Sequence, residues 1–470
     1  MSNDLHFLSA VEALARFRTR RLSPVELVRA LIARTEAIGP AVNAFTRYFP
    51  ERALEDARRA EARYLVGTAR PLEGIPLVVK DLHPIAGEIT THGSIVFRDN
   101  RDESTLTTVE RLLQAGAILF ARTTSPELGL ATVTHSRLWG VTRNPWNLAY
   151  TPGGSSGGAG AALAAGLVTL ADGSDYGGSI RIPASCCGVV GYKPPRGRNP
   201  GDSLDPFSHF GPLARTVHDA IAMQNVMAGP SSADPMSLPD RFEISSAQAG
   251  LAGWRVGFSM DLGHKTIDPE VVAATRDMLD LLRGLGCTIE EVELDWTDRI
   301  REAFELHHAA ADASASWMLL PTQRDLLTDY AVHAIETGMT VSGRALFDTH
   351  EVRAEMFRTL GPILARVDLF LCPTTAVPAL PAEHSPLTDT IEIAGVRVPG
   401  HRGWVLTYPF NMLSTLPVLS LPSGRSRSNI PTGVQLVGRP YDDASVFRAA
   451  LALEAARGVW YADPGDRPAL

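Results

Sequence analysis

A chain of 470 residues, 45% hydrophobic and 20% charged, can bury an ample core, either as one large α/β domain or as two to three average ones. Its formal net charge of −8 excludes a surface built for nucleic acid or anionic membrane, which needs a basic excess. The amino-terminal MSNDLHFLSA carries no basic stretch ahead of an apolar one, and no apolar run reaches the ~18 residues of a membrane span, so a soluble, cytoplasmic protein is expected.

Apolar residues recur at helical spacing from Val11 through Phe17 and from Val25 to Ile38, and Ser23-Pro24-Val25-Glu26 reads as a capping box with proline in the first turn. Gly39-Pro40 is expected to stop that helix, and an alanine-rich helix follows over 50–63. Arg16, Arg18, Arg20 and Arg21 read as a solvated face. The segment 72–81 is an apolar strand ending in Lys80-Asp81, and a lysine in that place is ordinarily a solvent-facing charge. A helix over 105–113 and a strand over 117–121 give β-α-β alternation. Arg143-Asn144-Pro145-Trp146-Asn147 reads as a loop.

Gly153-Gly154-Ser155-Ser156-Gly157-Gly158 comes next, then a small-residue helix over 159–165, a buried strand over 167–171, and Gly177-Gly178-Ser179. Glycines free the backbone to aim N–H groups and a hydroxyl at one point, although either cluster alone is a common flexible turn. A helix and a strand laid back to back can return the second serine to the first. Beyond them, 227–253 is rich in Pro, Ser, Asp and Gly and reads as a surface connection. Strands are expected over 254–258, 287–294 and 368–372, and helices near 268–284 and 351–366. The stretch 300–350 carries no motif. Cys186, Cys187, Cys287 and Cys372 lack metal-ligand spacing and read as buried free thiols of a reducing compartment.

Taken together, the blocks resemble those of the amidase signature family. GGSSGG at 153–158, DYGGSIRIPA at 175–184 and GYKP at 191–194 stand in the family's order. So do Gly74-Ile75-Pro76 leading to Lys80-Asp81, Asn144-Pro145-Trp146, Gly211-Pro212-Leu213-Ala214-Arg215-Thr216, Tyr408-Pro409-Phe410-Asn411, Leu421-Pro422-Ser423-Gly424 and the run from Pro431 to Gly438. The resemblance covers roughly residues 20–455. It implies one large α/β domain over 1–470, with a twisted, mostly parallel mixed sheet covered by helices on both faces. Within it 1–65 would be packed helices, 72–220 the catalytic core, 227–253 a surface connection and 254–470 the remainder.

The same resemblance assigns roles. Ser179 would be the nucleophile, Ser155 the relay and Lys80 the base, with a cis peptide between Gly154 and Ser155 and a hydrogen bond from Ser156 to Lys80. The N–H groups of Tyr176, Gly177, Gly178 and Ser179 would form the oxyanion hole. Asp175 would brace the loop, and Arg181 would be an ion-pair partner or a substrate clamp. No metal or organic cofactor is implied. The partner would be a small-molecule amide, with no nucleic acid and no membrane, and the chain a monomer or homodimer. Amide hydrolysis needs an activated nucleophile, a proton donor to nitrogen and donors to the oxyanion. A lysine acts as base only when neutral, so Lys80 must lie in a dry pocket away from carboxylates. Asp81 should therefore point elsewhere.

The family's substrates include aryl and aliphatic amides, anilides, carbamates (urethanes) and esters. Ile180-Arg181-Ile182 and Trp404-Val405-Leu406 favour a neutral or aromatic acyl group. This chain departs from the usual pattern at Tyr176, Pro195 and Thr415, and Tyr176 bears on pocket shape. Three other readings compete. A tRNA-dependent amidotransferase subunit shares the fold but usually carries glutamine where this chain has Ile182. An α/β-hydrolase elbow would make Ser155 the nucleophile in a Ser-His-Asp triad. A phosphate-cradling module would use the glycine loop, but the P-loop's GK[ST] is absent.

Overall fold

Ser23 caps the helix Pro24–Val42 as the sequence predicts: its hydroxyl accepts from the backbone of that first turn while Glu26 accepts the Ser23 N–H at 2.8 Å. The computed structural model, which describes residues 4–201 and 205–470, departs from expectation at the other end. The first three residues of the amino-terminal stretch lie outside the described residues. Gly39-Pro40 does not stop the helix, which runs on to Val42. Asn43 ends it instead, in the left-handed conformation, with its N–H on the Gly39 carbonyl and its side-chain amide on the carbonyls of Trp139 and Val141. The helices Ala10–Arg18 and Pro50–Leu65 complete this layer.

Among the described residues the main sheet has eleven strands. In chain order they are β1 (Phe45–Tyr48), β2 (Pro76–Lys80), β3 (Ile118–Thr123), β4 (Leu170–Asp175), β5 (Val190–Lys193) and β6 (His209–Ala214), followed by β7 (Arg255–Phe258), β8 (Thr288–Glu291), β9 (Leu369–Pro373), β10 (Val418–Arg425) and β11 (Pro431–Val437). Across the sheet the order is β1-β3-β2-β4-β6-β5-β10-β11-β9-β7-β8. Strands β3, β2 and β4 run parallel, as do β9, β7 and β8. The expectation of a mostly parallel sheet holds in those two blocks. Across the centre, from β4 to β9, and at the β1 edge, neighbours run antiparallel, in part because the five-residue link between β10 and β11 is too short for a crossover. Residues 228–254 form neither helix nor strand, in keeping with a surface connection.

Strands β2 and β4 are buried over nearly their whole length because each has a neighbour on both sides and helices above them. The strand expected over 167–171 starts later and runs to Asp175, so a Gly-Ser-Asp run of low strand propensity is held by pairing with β6. Two short helices, Gly157–Ala164 and Arg181–Cys187, each follow a glycine-serine loop, and the second was not evident in the sequence. The motifless stretch 300–350 is helical, chiefly Arg299–Ser316, Asp329–Met339 and the start of Gly343–Arg366. No helix among the described residues is long and apolar enough to cross a membrane.

Candidate active site

Lys80 closes β2 and is fully buried. Its Nζ lies 2.7 Å from Ser155 Oγ and 3.1 Å from Ser174 Oγ, and among the described residues no carboxylate is in ion-pair range of it. Burial lowers the amine from its usual 10.5 to about 7, against the opposing pull of the Asp172 and Asp175 carboxylates. Asp81 points elsewhere: its carboxylate accepts from the Thr91 N–H at 3.1 Å and from the Thr91 hydroxyl. Asp172 sits beside Lys80 on β4, accepting the Lys80 backbone N–H at 2.7 Å and holding His83 Nδ1 at 2.5 Å.

Ser155 stands on the loop before the Gly157–Ala164 helix, behind a cis Gly154-Ser155 peptide. Gly154 is obligatory by contact, since a Cβ there would meet the backbone of Ala131 and Val133 within 2.8 Å. Ser156 does not reach Lys80, contrary to expectation. Its hydroxyl donates to the Ser174 carbonyl at 3.3 Å, and the Ser174 hydroxyl takes the second place on the amine. The Ser156 N–H donates to the Ser179 carbonyl at 3.1 Å and so ties the two serine loops together.

Ser179 is partly exposed and lies two residues before the Arg181–Cys187 helix, whereas Ser155 is buried. Ser155, Ser174 and Ser179 line one cavity of about 160 Å³. The loop that carries Ser179 is braced by Asp175, which accepts N–H groups of Gly178 at 2.8 Å, Ile180 at 3.2 Å and Arg181 at 3.4 Å. This corrects one expectation: the Gly178 N–H is occupied and cannot serve an oxyanion. The N–H groups of Gly177 and Ser179 have no acceptor in the chain among the described residues, and Tyr176 shares their loop. Gly178 has φ +122°, and a Cβ on it would fall 2.0 Å from Thr407 Oγ1.

Arg181 is fully buried and holds Asp175 through Nε at 3.0 Å and Nη2 at 2.9 Å. Its other contacts are the Thr407 carbonyl, Gln435 and Asn411. With every nitrogen engaged inside the chain, it is not placed to clamp a substrate. Burial alone would raise the Asp175 carboxyl, but Arg181 and Asn411 hold it well below the usual carboxylate range.

The far walls come from parts of the sequence that carried no motif. His308 and Asp312 project from the Arg299–Ser316 helix and Arg402 from the loop after the hairpin Thr390–Ile393 with Val396–Pro399. Only the i, i+4 spacing of a histidine and an aspartate hinted at the first two. The Tyr176 hydroxyl donates to Asp205 at 2.7 Å, and its ring meets Phe207, Phe304 and His308 edge-on, so it does shape this wall. Of the residues read as favouring a neutral acyl group, Ile182 lines the cavity; Ile180, Trp404, Val405 and Leu406 are buried off it.

One other reading loses its footing here. The segment before Ser155 is loop, with an isolated bridge between Asn144 and Asn147 and no strand, and the polar side chain on Ser155 is a lysine, so an elbow with a histidine partner does not fit. Among the described residues no group of three or more His, Cys, Asp or Glu could hold a metal ion, and the four cysteines are buried and free.

Known proteins share the sequence and fold of this chain. The Amidase family model matches residues 26–447. An acylamidase of Rhodococcus erythropolis is 36% identical over 97% of this chain and 96% of its own length. One component of the glutamyl-tRNA(Gln) amidotransferase of Chloroflexus aurantiacus is 33% identical over 96% of this chain and 97% of its own. Among solved structures, a bacterial aryl acylamidase of the amidase signature family superposes with a TM-score of 0.90 at 28% identity, covering 96% of both chains. A 6-aminohexanoate cyclic dimer hydrolase, solved with its substrate, superposes at 0.84 and 28% identity over 99% of both. With the family model, the relatives and the fold in agreement over nearly its full length, the chain belongs to the amidase signature family and is an amide-hydrolysing enzyme.

Proposed function

We propose that the chain cleaves the C–N bond of small amides, aryl amides and anilides foremost, through an acyl-enzyme on Ser179. The observation that carries the reading is a buried amine 2.7 Å from Ser155 Oγ, clear of carboxylates and lowered to about 7. At neutral pH such an amine is neutral half of the time and can take a proton. Lys80 draws it from Ser155 and Ser155 from Ser179, so that Ser179 Oγ attacks the carbonyl carbon as it loses its proton. The N–H groups of Gly177 and Ser179, with Tyr176 on the same loop, receive the developing oxyanion. The proton returns through Ser155 to the leaving nitrogen, the C–N bond breaks, and water then hydrolyses the acyl group from Ser179 along the same relay. Carbamates and esters present the same carbonyl and fall within reach of the same steps.

The acyl preference is supported by the activities named for the acylamidase relatives and by a cavity of about 160 Å³, which suits compact substrates. The four buried free thiols support a reducing, cytoplasmic location, and the chain is read as acting alone or as a homodimer. The test is mass spectrometry of enzyme quenched during turnover of an anilide. An acyl adduct on the peptide containing Ser179, lost in Ser179→Ala together with at least ~10³-fold of kcat, is expected. Ammonia release from glutamine only in the presence of other amidotransferase components, with no anilide hydrolysis by the single chain, would support the amidotransferase reading instead.

A further inference from the structure

Arg402 is 5% exposed and lines the same cavity as Ser155 and Ser179. A buried guanidinium is ordinarily matched by a carboxylate, because an uncompensated buried charge is costly. This one has no ion-pair partner among the described residues. Of the two carboxylates that act on it most strongly, Glu305 pairs with Arg301 at 2.7 Å and Asp312 lies 2.8 Å from His308 Nδ1, neither within ion-pair range of the guanidinium.

Arg402 has two polar contacts, both to histidine nitrogens at 3.3 Å. Nη1 lies 3.3 Å from His401 Nε2, but that nitrogen is 3.0 Å from the Leu130 carbonyl, which has no proton to give, so His401 Nε2 carries the hydrogen. Nη2 donates to His308 Nδ1 at 3.3 Å, while Asp312 Oδ2, 2.8 Å from the same nitrogen, is buried without a hydrogen-bond partner. Nε is buried without a partner. Donor therefore faces donor at Nη1, while the guanidinium packs over the Phe304 ring at 5.0 Å, which fixes its plane. Arg402 thus presents a positioned cation, with one N–H on His308 and no ion-pair partner among the described residues, to the cavity that also holds the hydroxyls of Ser155 and Ser179.

We propose that Arg402 is a specificity-determining residue that receives a carboxylate on the substrate, making the preferred substrates small amides that end in a carboxylate, such as dicarboxylic acid monoamides or N-acyl amino acids. The inference rests on the amidase reading of this cavity and revises the neutral-acyl preference drawn from the sequence. Guanidinium and carboxylate match as a two-pronged, charge-assisted pair, and Lys in that place would keep the charge without the fork.

The experiment compares succinyl p-nitroanilide with pentanoyl p-nitroanilide, which differ chiefly in the terminal carboxylate, by release of p-nitroaniline. Wild type is expected to favour the succinyl compound by ~10–100-fold in kcat/KM. Arg402→Met should collapse that ratio to about 1, and Arg402→Lys should retain part of it. A wild-type ratio at or below 1, or a ratio unchanged in Arg402→Met, would overturn the proposal. Hydrolysis of the pentanoyl compound by wild type reports on the amidase reading by itself, so the two failures are distinguishable. Should Arg402→Met fail to fold, inhibition of wild type decides: glutarate should compete with substrate where pentanol does not, and equal inhibition by both, or by neither, would overturn the proposal.

Discussion

Lys80 carries the account at the scale of a single residue. Between its usual 10.5 and about 7 lie about 5 kcal/mol of burial cost, because each pH unit amounts to about 1.4 kcal/mol. The unfolded chain keeps that proton up to pH 10.5, whereas the folded chain keeps it only below about 7. Unfolding in that window takes up a proton, so stability rises with pH there. Lys80→Met removes both the cost and the slope, offset by about 1–2 kcal/mol for the lost hydrogen bonds to Ser155 and Ser174. Urea unfolding at pH 7 should find the inactive variant more stable by about 2–3 kcal/mol, and an equal or lower stability would contradict the burial argument. Asp172 acts in the opposite direction, as its carboxylate favours the charged amine. Asp172→Asn keeps an acceptor for the Lys80 N–H but loses the charge, so the acidic limb of the kcat/KM profile should move to lower pH. A limb that stays in place or moves up would show that Asp172 does not tune the base. The residues of this centre were legible because they stand in ordered blocks of sequence. Ser174 was not, since its hydroxyl takes a place on the amine through strand pairing that no spacing reveals.

Elements explain where the sequence misled. Pro40 reads as a stop, yet the helix continues because Asn43, anchored to Trp139 and Val141, sets its end beyond the proline. Strand β4 was placed too early because Gly173, Ser174 and Asp175 are poor strand formers, and tertiary pairing with β6 overrides that preference. The seven-residue helix Arg181–Cys187, with a proline third, is too short for periodicity to show. Its role is nonetheless mechanical: with Asp175 it fixes the loop that carries Ser179. Asp175→Asn would leave Arg181 as an uncompensated buried charge and should cost about 3–5 kcal/mol of stability. Thermal unfolding and kcat should fall together in that variant, and a variant of wild-type stability would mean the ion pair is not the brace.

At the scale of the whole molecule the sheet joins two halves of the sequence. Strands β1 to β6 occupy one side and β7 to β11 the other, meeting where β5 pairs with β10. The cavity is shared in the same way, with the serines and Tyr176 from the first half and His308, Asp312 and Arg402 from the second. Arg181 crosses the same seam to Gln435 and Asn411. The segment 72–220, which holds every motif of the proposed relay, should therefore not fold alone, because β5 would present an unpaired edge and Arg181 would lose those partners. Hydrogen exchange on the excised segment should show no protected core, and native-like protection would contradict the shared architecture. The fold class was legible because the family blocks span both halves, while the far wall was not, since helices without motifs supply it. The claim on which the rest depends is that an uncharged Lys80 arms Ser179. The most direct measurement is the rate at which a sulfonyl fluoride labels Ser179 as a function of pH. The account predicts a rate that rises with a midpoint near pH 7 and is lost in Lys80→Met, whereas a rate flat from pH 5 to 9, or one that persists in that variant, would contradict it.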